Sequence, residues 1–94
     1  MTDLQKTRMG LRIRDVRQQR GMTLVQLGEK TSLNSNYLGK IEHGSGAGLE
    51  AVLSIVEALD VSMDYIVRGI APLNSGWGLI FRSEDDLESI IRPD

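Results

Sequence analysis

The chain has no cysteine, so disulfides and thiolate metal sites are closed to it. Its aromatic content is one Trp, two Tyr and one Phe, which leaves an aliphatic core as the only kind available. No stretch approaches the ~20 consecutive apolar residues that a bilayer-spanning helix needs, so no membrane partner is expected. The opening segment MTDLQKTRMG has no apolar run and does not read as a secretory signal. The single histidine, His43, has no cysteine or triad partner to work with. Asp85 and Asp86 read as helix-start acids, not metal ligands. The glycine-rich stretch 44–48 lies between helical segments, whereas a nucleotide-binding loop follows a strand. No enzyme is read from this chain, and no cofactor or metal.

What is present fits one small domain of 94 residues, marginally stabilised by its own burial. The net charge of −2 conceals an asymmetry. Residues 1–44 hold eight Lys and Arg against four Asp and Glu, a net of +4. Residues 45–94 hold three against nine, a net of −6. The basic half is suited to phosphates and the acidic half to facing away from them.

Helical spacing organises the first two-thirds of the chain. A first helix is predicted from near Lys6 or Met9 to Arg20, with Leu11, Ile13 and Val16 as its apolar stripe and Met9 a candidate to join it. Gly21 ends it in a left-handed conformation. Thr23 and Gln26 form a T-x-x-Q capping box that opens a second helix, running to Lys30 or Thr31. Gly28 in its middle costs up to ~1 kcal/mol against Ala, which suggests that another backbone passes close by. Ser32 and Leu33 make a turn, and Asn34 caps a third helix ending at Glu42. That helix faces inward with Leu38 and Ile41. Ser35, Asn36, Gly39, Lys40 and His43 face outward, with Tyr37 at the edge. A fourth helix, Leu49 to Leu59, is apolar nearly all round and should be central to the core. A short fifth helix runs from Ser62 to Gly69.

Two short helices joined by a tight turn, the second polar on its outside, have the geometry of helix-turn-helix recognition. A major groove about 12 Å wide admits one helix, and small polar side chains at its start can approach base edges. Arg12-Ile13-Arg14-Asp15-Val16-Arg17 with Arg20-Gly21-Met22-Thr23 resembles the opening of the Cro/phage-repressor-like (XRE) helix-turn-helix domain. Asn36-Tyr37-Leu38-Gly39-Lys40-Ile41-Glu42-His43-Gly44 is similar to the end of its recognition helix. Leu49 to Leu53 and Ala58 to Asp64 are similar to its fourth and fifth helices. Each motif alone is weak, but their order and spacing over residues 9–68 are specific.

The resemblance implies an all-α, five-helix, lambda-repressor-like domain in a bacterial or phage regulator of the cytoplasm. It implies a homodimer on a palindromic operator in double-stranded DNA, most simply as a repressor. Ser35, Asn36 and Lys40 occupy the family's base-contacting positions, and Thr23 and Tyr37 its phosphate-contacting ones. His43 is either a phosphate donor or a cation at a helix C-terminus. Arg17 and Glu42 match a structural ion pair. Arg8, Arg12 and Arg20 read as solvated charges, with a phosphate contact open to one of them. The chain departs from the pattern at Leu24, where Gln is usual, at Ser32, where Gly is usual, and at Gly28, where Ala is usual. The loop after Gly44 also lacks the usual basic residue.

Domains are set at residues 1–69 for DNA binding and 70–94 for an extension. Trp77, Leu79, Ile80 and Phe81 form a short apolar run, a candidate β-strand, ahead of a candidate helix from Glu84 to Ile91. These residues either dimerise the protein or fold back on its own core. The competing function is an antitoxin or protein-interaction module that kept the fold and uses its acidic tail. With no separate ligand-binding domain, no small-molecule ligand is expected.

Overall fold

Thr2 opens the first helix. Its hydroxyl accepts from the Gln5 N–H at 3.1 Å while the Gln5 side chain accepts from the Thr2 N–H at 2.8 Å. Helix α1 therefore runs Asp3–Gln19 and begins ahead of the Lys6 or Met9 start predicted from apolar spacing. A capping box satisfies two orphan N–H groups before any apolar stripe begins. The structure, a computed structural model, describes residues 1–70. The remaining helices are α2 (Leu24–Thr31), α3 (Ser35–Glu42), α4 (Leu49–Leu59) and α5 (Met63–Arg68). The candidate strand and last helix, with Trp77, Leu79, Ile80 and Phe81, lie outside the described residues.

Helix α1 is the spine. It packs against α3, α4 and α5, while α2 packs against α3 and α4. Its buried stripe is Met9, Gly10, Ile13 and Val16. Leu11 is not part of it and is 49% exposed, because two residues after Met9 is roughly half a helical turn away. The core is aliphatic throughout, with Leu27, Leu38, Ile41, Ile55, Leu59 and Ile66 all at 1% exposure or less. Burying each such side chain contributes about 1.5–3 kcal/mol. Helix α4 is less central than its composition suggests. Val52, Ile55, Val56 and Leu59 are buried, but Leu49 and Leu53, four residues apart on its other side, face solvent.

Two arginines expected in solvent instead hold the helices together. Arg12 donates from Nε to the Ile66 carbonyl at 3.0 Å and from Nη2 to the Val67 carbonyl at 3.2 Å. Arg20 donates likewise to Leu59 at 2.9 Å and Asp60 at 3.2 Å. Both pairs of acceptors lie at helix C-termini, where carbonyls lack intrahelical donors and the dipole favours a cation. Thus α1 caps the ends of α4 and α5, an arrangement that helical spacing alone does not reveal.

Candidate nucleic-acid interface

The α2–turn–α3 unit depends on a missing side chain. A Cβ on Gly28 would stand 2.7 Å from the Leu33 carbonyl oxygen, too close to fit. The backbone that passes close to Gly28 is therefore that of the turn. The Leu33 N–H donates to the Gly28 carbonyl at 3.2 Å, drawing the chain back onto α2. Ser32 accomplishes the reversal in the left-handed region, at φ 60 and ψ 26. Thr31 is buried with its hydroxyl donating to the Leu27 carbonyl at 2.8 Å, so this buried polar group is satisfied under the turn.

Helix α3 starts under Asn34, whose side-chain oxygen accepts from the Asn36 N–H at 2.7 Å. Behind the helix, Leu38, Ile41 and Glu42 are buried. Glu42 carries a charge into that interior, and Arg17 meets it through Nε at 2.7 Å and Nη2 at 3.1 Å. The third donor, Nη1, reaches the Met22 carbonyl at 2.7 Å, so one guanidinium ties α1 to α3 and to the turn before α2. At Gly10 a Cβ would collide with the Ile41 carbonyl and stand 2.6 Å from that of Glu42. Backbone contact and ion pair together fix the C-terminal half of α3 against α1.

The solvent side of α3 is then set by helical geometry. Asn36, Lys40 and His43 fall at i, i+4 and i+7 and form one exposed row. Ser35, half-buried, and Tyr37, 37% exposed, lie on opposite flanks of that row. Lys40 forms no ion pair among the described residues. His43 is folded back, with Nδ1 2.7 Å from the Gly39 carbonyl. A carbonyl only accepts, so Nδ1 carries the proton, and Nε2 is a donor only in the imidazolium. Thr23 stands apart from the row, at the start of α2. Its hydroxyl oxygen accepts from the Gln26 N–H at 3.1 Å, and its own proton stays available to an outside acceptor. Leu24 is half-buried, and its Cδ1 would lie 3.7 Å from a Cβ on Gly39. It therefore packs towards α3 and adds nothing polar to the surface.

Apolar spacing leaves the start of α1 open between Lys6 and Met9, short of its first residue Asp3. The pattern Thr2-x-x-Gln5 is the signal that marks this start, the same as that at Thr23 and Gln26. It brings Lys6 and Thr7 into a helix that reaches the loop after α3.

A helix-turn-helix pair propped on a helical core defines a class of DNA-binding protein. The model of the helix-turn-helix family matches residues 13–66, and the chain belongs to this XRE-type family. It is a DNA-binding transcription regulator. Comparison with curated protein sequences gives no significant match. Among solved structures, the restriction-modification controller protein C.AhdI from Aeromonas hydrophila is similar at 26% identity and a TM-score of 0.62, covering 64% of this chain and 92% of that one. A chain of the SinR protein/SinI protein complex shares the fold at 23% identity and a TM-score of 0.62, covering 87% of this chain and 89% of its own. Among the described residues, no helix is long and apolar enough to cross a membrane.

Proposed function

We propose that the protein binds a specific palindromic operator as a homodimer in the bacterial cytoplasm and represses transcription by occupying it. The observation that carries this reading is the row Asn36, Lys40 and His43 with its flanks Ser35 and Tyr37. These are exposed or half-exposed polar side chains on a short helix whose opposite face is held by buried contacts. Ser35 and Asn36, in the first turn, reach base edges, and Lys40 contacts a phosphate or a base. Tyr37 and Thr23 donate hydroxyl protons to phosphates on either flank. His43, in the same row, is the remaining candidate for a phosphate contact. Arg17 and Glu42 position the helix and do not touch DNA. The likeness to a controller protein fits a regulator of transcription.

Residues 1–69 form the DNA-binding unit in this reading, and the segment 70–94 dimerises through Trp77, Leu79, Ile80 and Phe81. Pairing two such domains places their α3 helices one DNA turn apart, about 34 Å. Sedimentation of the full chain against a Trp77→Ala/Phe81→Ala variant tests the dimer, which should dissociate in the variant.

The deciding experiment is selection of bound duplexes from random DNA, followed by gel shifts with the Ser35→Ala/Asn36→Ala/Lys40→Ala variant. Loss of sequence preference with an intact fold is expected. Unchanged preference would remove α3 as the reading helix. The acidic balance of residues 45–94 favours a second reading, an antitoxin or protein-interaction module, in which selection would enrich no sequence.

A further inference from the structure

Helix α1 has α3 on one flank and α5 on the other. Gly10 faces the Ile41 and Glu42 carbonyls, whereas Arg12, two residues on, reaches those of Ile66 and Val67. On the α5 flank, away from α3, lies a groove of about 580 Å³. Its charged lining is Arg8, Arg12 and Arg68, with no acidic residue, and its apolar lining is Met1, Val67 and Ile70. Arg12 is engaged by backbone carbonyls. Arg8 forms no ion pair among the described residues, and Arg68 meets only Asp64 there, at 3.6 Å with both side chains largely in solvent. Two cations in this groove therefore lack a firm counter-charge among the described residues. Beside Arg8 on the outside of α1, at i−4 and i+3, Leu4 and Leu11 are 58% and 49% exposed and extend the apolar surface.

We propose that residues 84–91 of the same chain dock in this groove. Glu84, Asp85, Asp86 and Glu88 stand there beside Leu87, Ile90 and Ile91, whose spacing puts the three apolar residues on one side of a helix. An acidic segment with an apolar stripe is matched in charge and character to a basic groove with an apolar lining. Residues 71–94 as a whole hold five Asp and Glu against two Arg. Ile70 lines the groove itself, so the chain is delivered to its edge. The connecting residues 71–83 reach at most about 45 Å when extended, ample for a return to the same groove. Exposed ion pairs alone hold little. Here they act with three apolar side chains, and tethering supplies an effective concentration on the order of millimolar, so a weak contact stays occupied. Duplex DNA does not fit as the occupant, because α1 stands between the groove and α3. The inference goes beyond the DNA-binding reading and does not depend on it. It leaves Trp77, Leu79, Ile80 and Phe81 to the dimer contact.

The chain has no cysteine, so Ser89→Cys accepts a single nitroxide spin label in the full chain. Amide NMR signals of Arg8, Arg12, Val67 and Arg68 should be lost in the labelled chain and return when the nitroxide is reduced. Those of Asn36 and Lys40 on α3 should persist. Raising salt from about 0.1 M to 1 M shortens the screening length from about 10 Å to 3 Å and should bring the groove signals back in part without any substitution. Arg8→Glu/Arg68→Glu alters two exposed side chains and should restore the groove signals fully. Adding Asp85→Lys/Glu88→Lys to that variant should quench them again. Groove signals that stay sharp beside the oxidised label overturn the inference, as does quenching at Leu49 and Leu53 instead. Isotope-labelled chains without a nitroxide, mixed with spin-labelled chains, should keep sharp groove signals. Quenching in that mixture alone would assign the groove to a second copy and overturn docking within one chain. No DNA enters these measurements, so the DNA-binding reading stands or falls separately.

Discussion

Arg17 and Glu42 form a two-pronged ion pair in which both side chains are nearly out of solvent, at 11% and 4% exposure. A buried pair of this kind adds little net stability over apolar residues, yet removing one partner strands the other charge. Glu42→Ala should therefore destabilise the fold by about 3–5 kcal/mol, and Arg17→Ala by a similar amount. Arg17→Met combined with Glu42→Leu should cost less than either single change. The residual cost reflects the Met22 carbonyl, which loses its donor at about 1–3 kcal/mol. Urea unfolding of these variants tests the pattern. Additive costs would show that the two groups do not act as a pair.

Gly10 is a position where better helix propensity should harm the protein. Ala in a helix interior gains about 1 kcal/mol over Gly. Here its Cβ would meet the carbonyl oxygens of Ile41 and Glu42, which are backbone and have nowhere to go without moving α3. Gly10→Ala should give a net loss of about 1–3 kcal/mol by denaturant unfolding. DNA affinity should fall with it, since the end of α3 must shift. Gly48→Ala is the contrast, because nothing lies within 4 Å of its Cβ position. It should cost no more than about 1 kcal/mol, as a change at an N-cap does.

Much of this architecture is legible in the sequence because it is written locally. Capping residues Thr23, Asn34 and Ser62, and Gly21, Gly44 and Gly69 at positive φ, mark helix ends within a few residues of where they fall. Interactions over long separations are not written this way. Nothing near Arg12 or Arg20 announces that their partners lie 54 and 39 residues away. The same holds for Leu49 and Leu53, whose exposure depends on which side of α4 the neighbouring helices occupy. On α3 the outward set is readable from periodicity, but which residues form the central row and which its flanks emerges only with the helix seated. The approach of Lys6 to the loop depends on the start of α1, which apolar spacing leaves open between Lys6 and Met9.

Ser32 holds a conformation better suited to glycine. At φ 60 its Cβ is crowded by the backbone, at roughly 1–2 kcal/mol for an L-residue. Its side chain is exposed, so nothing of the packing is lost by removing it. Glycine relieves the strain but gives the unfolded chain more freedom, which offsets about 0.4–1 kcal/mol. Ser32→Gly should raise stability by about 0.5–1 kcal/mol, seen as a higher urea midpoint with an unchanged slope. Ser32→Val should lower it, since a β-branched residue tolerates positive φ poorly. A Val variant as stable as the Gly variant would show that the turn relaxes out of the left-handed region.

Tyr65 gives the fold a weakness at alkaline pH. Its ionisation is pushed above the ordinary value of 10.0, first by burial and then by the carboxylate of Asp15, with the guanidinium of Arg12 acting in the opposite sense. A raised folded value means that the unfolded chain releases this proton first as pH climbs. Stability is thus unaffected by Tyr65 below about pH 10 and declines as pH rises from there through the folded value. Urea midpoints measured between neutral pH and pH 11 should fall at the alkaline end for the wild type, and the fall should be shallower for Tyr65→Phe. Arg12→Gln removes an influence that favours the phenolate, so spectroscopic titration should place Tyr65 higher still in that variant. The same substitution weakens the grip on the Ile66 and Val67 carbonyls, costing about 1–2 kcal/mol at every pH. The two effects separate by their pH dependence. If Tyr65 titrates at its wild-type value in Arg12→Gln, the guanidinium does not act on the phenol.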